Sequence, residues 1–249
     1  MWNLSSTILI VFLVCFLPVP SFGEGTSAEE YFLQGRQLVK DNVGDGGEQK
    51  GLEEGIDALK KALETGYPNV IELYKLLGKA YLVMFHYDKS YLKKGQEIYE
   101  ILLKIAPDDP DVLDDYAGWY LEDNKARRIE FYRRIIKIDP KRADARYVLG
   151  LLLIETGSVD EGIKSVVEGI EMESNFRASG NYVKRLISKL SFIGCPLSGS
   201  DVIRKKVFSM REAFEIGGEG GQQAIVDMAN FKKDLVKKFA NHKCPAKKK

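Results

Sequence analysis

The sequence predicts an all-α protein: a helical solenoid of about four helix pairs followed by a small C-terminal helical module. Three observations carry this expectation. Small and large residues recur at helical spacing in the order Tyr74, Leu77, Gly78, Tyr81, then Gly95 and Tyr99, then Pro107. Weaker copies follow: Ala117, Gly118 and Leu121, then Tyr132 and Ile135, closed by Pro140; and Leu149, Gly150 and Leu153, then Gly162, Val166 and Gly169, with Ser174 where a closing proline would stand. Upstream, Tyr31, Gly35 and Leu38, then Gly55, Leu59 and Ala62 after an insertion, make another. The composition agrees: 45% of the 249 residues are hydrophobic, 29% are charged and only 8 are proline, enough apolar material for a real core.

Each element follows from local chemistry. Thr26 to Lys40 puts Ala28, Tyr31, Phe32, Gly35, Leu38 and Val39 on one helical face. The glycines at Gly44, Gly46, Gly47 and Gly51 stop it and lengthen the turn, which long loops tolerate at small entropic cost. Gly51 to Thr65 is the second helix, with Leu52, Ile56, Leu59, Ala62 and Leu63 inward, ended by Gly66. Pro68 sits where it can open the first turn of Asn69 to Met84. An aromatic-rich turn leads to Leu92 to Ile105, and Ala106-Pro107 ends it. Asp108 and Asp109 give an acidic start to Val112 to Leu121. Ala126 to Ile138 follows, with Arg128 where a small residue is expected, then Ala143 to Glu155 and Asp160 to Met172. Ser158 with Glu161 three residues on has capping-box spacing. Asn181 to Phe192 reads as a capping helix, Ser200 to Ile216 as another, Gly217 to Gly221 as a flexible joint, and Gln222 to Asn241 as a last amphipathic helix. The tail Lys247 to Lys249 is expected to be disordered.

From about Ala28 to Ser174 the order W-x2-L-G-x2-Y, small-x3-aromatic, Pro resembles the tetratricopeptide-repeat (TPR) family. The small residues let the two helices of a pair approach closely. Neither helix buries its apolar stripe alone, so copies must stack, and ~3 or more are needed. The resemblance implies a non-enzymatic protein that binds a protein or peptide segment along a concave groove lined by the first helix of each pair. Carried over by repeat position, the groove would be Phe32, Arg36 and Lys40 in the first copy and Glu72, Lys75 and Lys79 in the second. The third would offer Asp115, Trp119 and Glu122, the fourth Tyr147, Leu151 and Glu155. Basic then gives way to acidic, with Trp119 and Tyr147 as aromatic anchors for an extended segment. The alternative for Trp119 is packing against the following helix.

The chain ends bear on location. Met1 to Gly23 holds no charged side chain, and Ile8 to Leu17 is an apolar run of ten, too short for the ~20 residues that span a bilayer. With Pro18, Pro20 and the triplet Ser21-Phe22-Gly23 after it, residues 1–23 read as a signal peptide for a periplasmic or secreted protein. No Lys or Arg precedes the run, which leaves an uncleaved, membrane-associated N-terminus as the alternative. Processing also removes Cys15, so Cys195 and Cys244 remain. An even count in an oxidising compartment suggests a disulfide, on the order of 4 kcal/mol for a loop of this length; the alternative is two reduced thiols.

The domain expectation is 26–175 for the repeats and 176–249 for a basic module, which has 16 Lys and Arg against 6 Asp and Glu. With 37 basic and 36 acidic residues overall, the remainder carries 21 and 30, so a segment of charge +10 follows one of −9. The runner-up function lies there: an envelope-surface-associated protein whose last helix binds anionic lipid or another polyanion through Lys232, Lys233, Lys237 and Lys238. Those charges could instead simply complement the acidic repeats. No aromatic residues interleave the lysines, so nucleic acid is disfavoured. No catalytic signature, cofactor motif or small-molecule substrate site occurs, and with only His86 and His242 a histidine metal site lacks parts.

Overall fold

A computed structural model of the chain describes residues 27–44 and 47–244. The expected signal peptide and the last lysines lie outside the described residues. Within them the chain is an all-α helical solenoid: eleven helices, packed in adjacent pairs, and no strand. None of these helices is long and apolar enough to cross a membrane.

The chain divides into two compact units at Pro68. The first holds helices α1 (Ala28–Asn42) and α2 (Gln49–Glu64). Ser27 caps α1, accepting from the Glu30 amide while the Glu30 carboxylate accepts from the Ser27 amide, a capping box. The pair closes at its glycines: a Cβ on Gly35 would lie 2.9 Å from the Gly55 carbonyl oxygen. Gly66, at φ 84°, ends α2 in a Schellman motif, with the Tyr67 amide donating to Ala62 and the Gly66 amide to Leu63. That motif carries Tyr67 onto Phe32, ring centroids 4.0 Å apart.

The second unit holds α3 (Val70–Met84), α4 (Tyr91–Ile105), α5 (Pro110–Tyr120), α6 (Lys125–Ile138), α7 (Ala143–Glu155), α8 (Val159–Met172), α9 (Phe176–Phe192), α10 (Ser200–Ile216) and α11 (Gly218–Ala240). Asn69 caps α3, Asp109 caps α5 with Pro110 at its first position, and Asn124 caps α6. Pro68 therefore precedes the cap rather than opening the helix. Ser158 stands at the cap of α8, yet its hydroxyl makes no capping bond. Its amide is committed to closing α7, donating to Leu153 in a second Schellman motif around Gly157.

Each repeat uses its small residues differently. Gly78 faces the Tyr99 ring, while Gly150 and Gly162 bring α7 and α8 into backbone contact. A Cβ on Gly118 would meet only the Tyr132 hydroxyl, 4.0 Å away, so this pair makes no close approach at its glycine.

Two apolar cores fill the second unit. One runs from Leu82 through Tyr99, Leu113, Tyr116, Tyr132 and Ile135 to Leu153. The other joins Ile163, Val166 and Ile170 of α8 to Leu186 and Leu190 of α9, Ile203 and Val207 of α10, and Phe231, Leu235 and Phe239 of α11. This second core crosses residue 175 without a break, so α9–α11 are packed onto the last repeat, as a capping module would be. The glycine run after Ile216 is also less of a joint than its composition implies. Gly217 and Gly218 turn the chain with positive φ, and Gly220 and Gly221 already belong to α11.

Candidate functional site

The face the TPR resemblance assigns to a ligand can be followed on α3, α5 and α7. On α3 the side chains Lys75, Lys79 and, just past the helix, His86 fall four and seven residues apart, one stripe of a 3.6-residue helix. On α5 the matching stripe is Asp111, Asp115 and Trp119, with Glu122 in the turn beyond.

The two stripes meet in register. Lys75 pairs with Asp109 at 2.5 Å and Asp111 at 3.6 Å. Lys79 lies near enough to favour the charged form of Asp115. His86 meets Trp119 edge-on, ring centroids 6.3 Å apart. The basic-to-acidic polarity seen in the sequence is thus partly consumed between neighbouring repeats. Arg142, the residue before α7, continues the network to Asp111 at 2.8 Å and to Asp114 and Asp144 at 3.4 Å.

Trp119 is 42% exposed, less than Phe208 at 53% or Phe192 at 87%, but it is the exposed aromatic that lies on the α5 stripe. Lys79 and Glu122 are exposed beside it in the stripe, and Leu151 on α7 is half-buried. Glu155, at the end of α7, is already held by Lys125 at 3.0 Å and by Lys189 of α9, and these partners keep its carboxylate below the usual range against the opposing effect of burial.

Two residues expected in the groove belong to packing. Phe32 is buried beneath Tyr67. Tyr147 is buried and stacked on Tyr182, centroids 3.9 Å apart with 10° between planes. In both cases the repeat position points the ring toward a later aromatic that periodicity does not reveal. Arg36 lies over the Phe32 ring and Lys40 is exposed, both on α1 in the first unit. Two residues not expected in the network are His86, which only the α3 stripe could have exposed, and Tyr99, whose hydroxyl donates to Asp115 at 2.7 Å.

Burial holds Asp115 above the usual carboxylate range, offset in part by the Tyr99 hydrogen bond and by Lys79. The folded chain therefore keeps Asp115 protonated to higher pH than the unfolded chain does. Its contribution to stability is fullest below about pH 4 and is lost as pH rises through the elevated folded value. Asp115→Asn retains an acceptor for Tyr99 but cannot charge. Melting experiments should show the variant gaining stability relative to wild type between about pH 4 and pH 7; a pH-independent difference would mean that Asp115 is not desolvated.

On α11, Lys233, Lys237 and Lys238 are exposed, but Lys232 is not part of an outward patch: its ammonium donates to the Glu173 carbonyl, and burial lowers its pKa. At the far end of the module Cys195 and Cys244 come together, Cα atoms 4.9 Å apart, within the ~4.4–6.8 Å range of disulfides. His242 joins them, its Nε2 3.2 Å from Cys195 Sγ.

Among the described residues these features define an all-helical, TPR-like fold with an exposed aromatic, Trp119, on α5. Solved structures bear out the fold. A crystal structure of MamA protein is 17% identical with a TM-score of 0.51, covering 88% of this chain and 98% of that one. A MamA RS-1 ArsTM double mutant is 12% identical with a TM-score of 0.54, covering 85% and 99%. No protein-family model matches the chain, and no curated protein matches its sequence.

Proposed function

We propose that this protein is a non-enzymatic interaction scaffold that holds an extended protein segment along α3, α5 and α7, with Trp119 as the anchor. The observation that supports this most is Trp119 itself: a half-exposed indole set edge-on to His86 at the end of the α3 and α5 stripes. A large rigid ring that is desolvated only on binding is the type of residue on which interface energy concentrates. Lys79, which faces Asp115 one turn before Trp119, and Glu122, three residues after it, put opposite charges along the stripes, which favours one direction of a dipolar segment. The Lys75–Asp109–Asp111 and Arg142 networks fix the spacing of the helices on which the site sits.

Selection of peptides from a displayed library on the full chain tests this. Recovered peptides should lose at least ~2 kcal/mol, about thirty-fold in Kd, on Trp119→Ala, while the melting temperature stays near wild type. Peptides indifferent to Trp119 would remove the proposal.

We further read the protein as exported, on the strength of residues 1–23, and as carrying a Cys195–Cys244 disulfide, which the approach of the two sulfurs supports. Anionic-surface binding is the second reading, supported by exposed Lys233, Lys237 and Lys238. It is distinguished by a steep fall with salt that an aromatic-anchored groove would not share.

A further inference from the structure

We propose that, in its dithiol form, the Cys195–His242–Cys244 cluster is a binding site for a soft divalent cation of the zinc class, so that the end of α9 and the end of α11 can be clamped by metal as well as by a disulfide. The inference is independent of the groove reading.

The three potential ligand atoms, two Sγ and the imidazole Nε2, lie within 4.8 Å of one another. Zinc at ~2.3 Å from sulfur and ~2.0–2.1 Å from nitrogen needs ligand atoms separated by roughly 3.5–3.8 Å, which small rotamer adjustments supply here. Two of the three positions are fixed by backbone hydrogen bonds rather than by the sulfur pair. Cys195 follows Gly194, at φ 76°, in a Schellman motif: its amide donates to Leu190 at 2.8 Å and the Gly194 amide to Ser191 at 3.1 Å. The His242 amide donates to Phe239 at 3.0 Å, carrying the last turn of α11 one residue past its cap. Phe239 is itself buried. Reduction of the sulfur pair therefore leaves Cys195 and His242 where they are, and only the half-buried Cys244 has to move.

The donor set fits the cation. Two thiolates and one neutral imidazole are soft and borderline ligands suited to zinc, and three protein ligands leave one tetrahedral position for water. His242 also lines a cavity of about 520 Å³ between α8 and α11, with Val236 and Phe239 on one wall and charged side chains such as Asp160 and Glu168 on the other, so water can reach the imidazole. The chemistry balances simply. A dithiol reductant gives two electrons and two protons to the disulfide and becomes a disulfide itself, and the cation then displaces the two thiol protons as it binds.

The test uses the full chain, reduced with a dithiol, freed of reductant and metal under argon, and titrated with Co(II) and then Zn(II). One Co(II) per chain with a thiolate-to-metal charge-transfer band, displaced by Zn(II), is expected. The oxidised chain should give no band. His242→Ala should weaken Zn(II) binding by at least about ten-fold, whereas His242→Cys, which restores a third soft ligand, should recover it; circular dichroism of both variants controls for folding. A reduced wild type without the charge-transfer band, or a folded His242→Ala that binds Zn(II) as tightly as wild type, would overturn the proposal.

Discussion

Gly150→Val should unfold the last repeat, or destabilise it by about 3 kcal/mol or more, the upper end of what overpacking a close-packed interior costs. A Cβ at Gly150 would lie 2.5 Å from the Gly162 carbonyl oxygen and 2.7 Å from the Val166 amide nitrogen. Those are backbone atoms of the facing helix and cannot turn aside as a side chain can. Relief would require α7 and α8 to separate, and with them Leu153, Ile154, Ile163 and Val166, all buried in the cores they share with the neighbouring helices. The sign is informative, because replacing a helical glycine by a residue with a side chain ordinarily gains up to ~1 kcal/mol of propensity. Gly220→Ala in α11 provides the contrast: nothing lies within 4 Å of its added Cβ, so a gain of a few tenths of a kcal/mol is expected there. Chemical denaturation of the two variants beside wild type measures both, and a neutral Gly150→Val would mean that α7 and α8 are not in backbone contact.

Tyr147→Ala should cost about 3–5 kcal/mol, the range for deleting a buried aromatic, and lower the melting temperature by roughly 6–20 °C for a unit of this size. The ring is packed on Tyr182 of α9 and closes the apolar core that ties the C-terminal helices to the last repeat. Trp119→Ala, which removes a larger but half-exposed ring, should cost far less stability. Calorimetry of the two variants separates a packing aromatic from a binding one. Comparable losses from both would place Trp119 in the core and leave the first-helix face without an anchor.

The helices were legible in the sequence because their signals are local. The small-residue positions at Gly35, Gly78, Gly150 and Gly162, the terminating Gly66 and the acidic start at Asp108 and Asp109 are each set within a few residues; the caps at Asn69 and Asp109 emerge only in the structure. What was not legible is set by the pairing of distant segments. Phe32 and Tyr147 were carried over as groove residues alongside Trp119, three residues before their repeat glycines where Trp119 stands one after, and each is covered by a tyrosine 35 residues later, Tyr67 and Tyr182, a partner that no periodicity announces. Lys75 reads as a groove cation until Asp109 and Asp111 are placed beside it. The C-terminal module is marked in the sequence by its change of charge at residue 176 and by an expected capping helix; that the apolar faces of α10 and α11 also join the core of α8 was not legible, because charge patterns only the surface. His242 lacked partners in the linear sequence and acquires Cys195 only because α11 folds back along α8.

Mapping where a selected peptide sits decides whether α3, α5 and α7 carry the binding surface. Amide chemical-shift perturbation on the isotope-labelled chain, at a peptide concentration above its Kd, reads this residue by residue. Shifts are expected to concentrate at Lys79, Asp115, Trp119, Glu122 and Leu151, with the Trp119 indole N–H among the largest. Shifts confined to Lys233, Lys237, Lys238 and the rest of α11, with Trp119 unmoved, would contradict it.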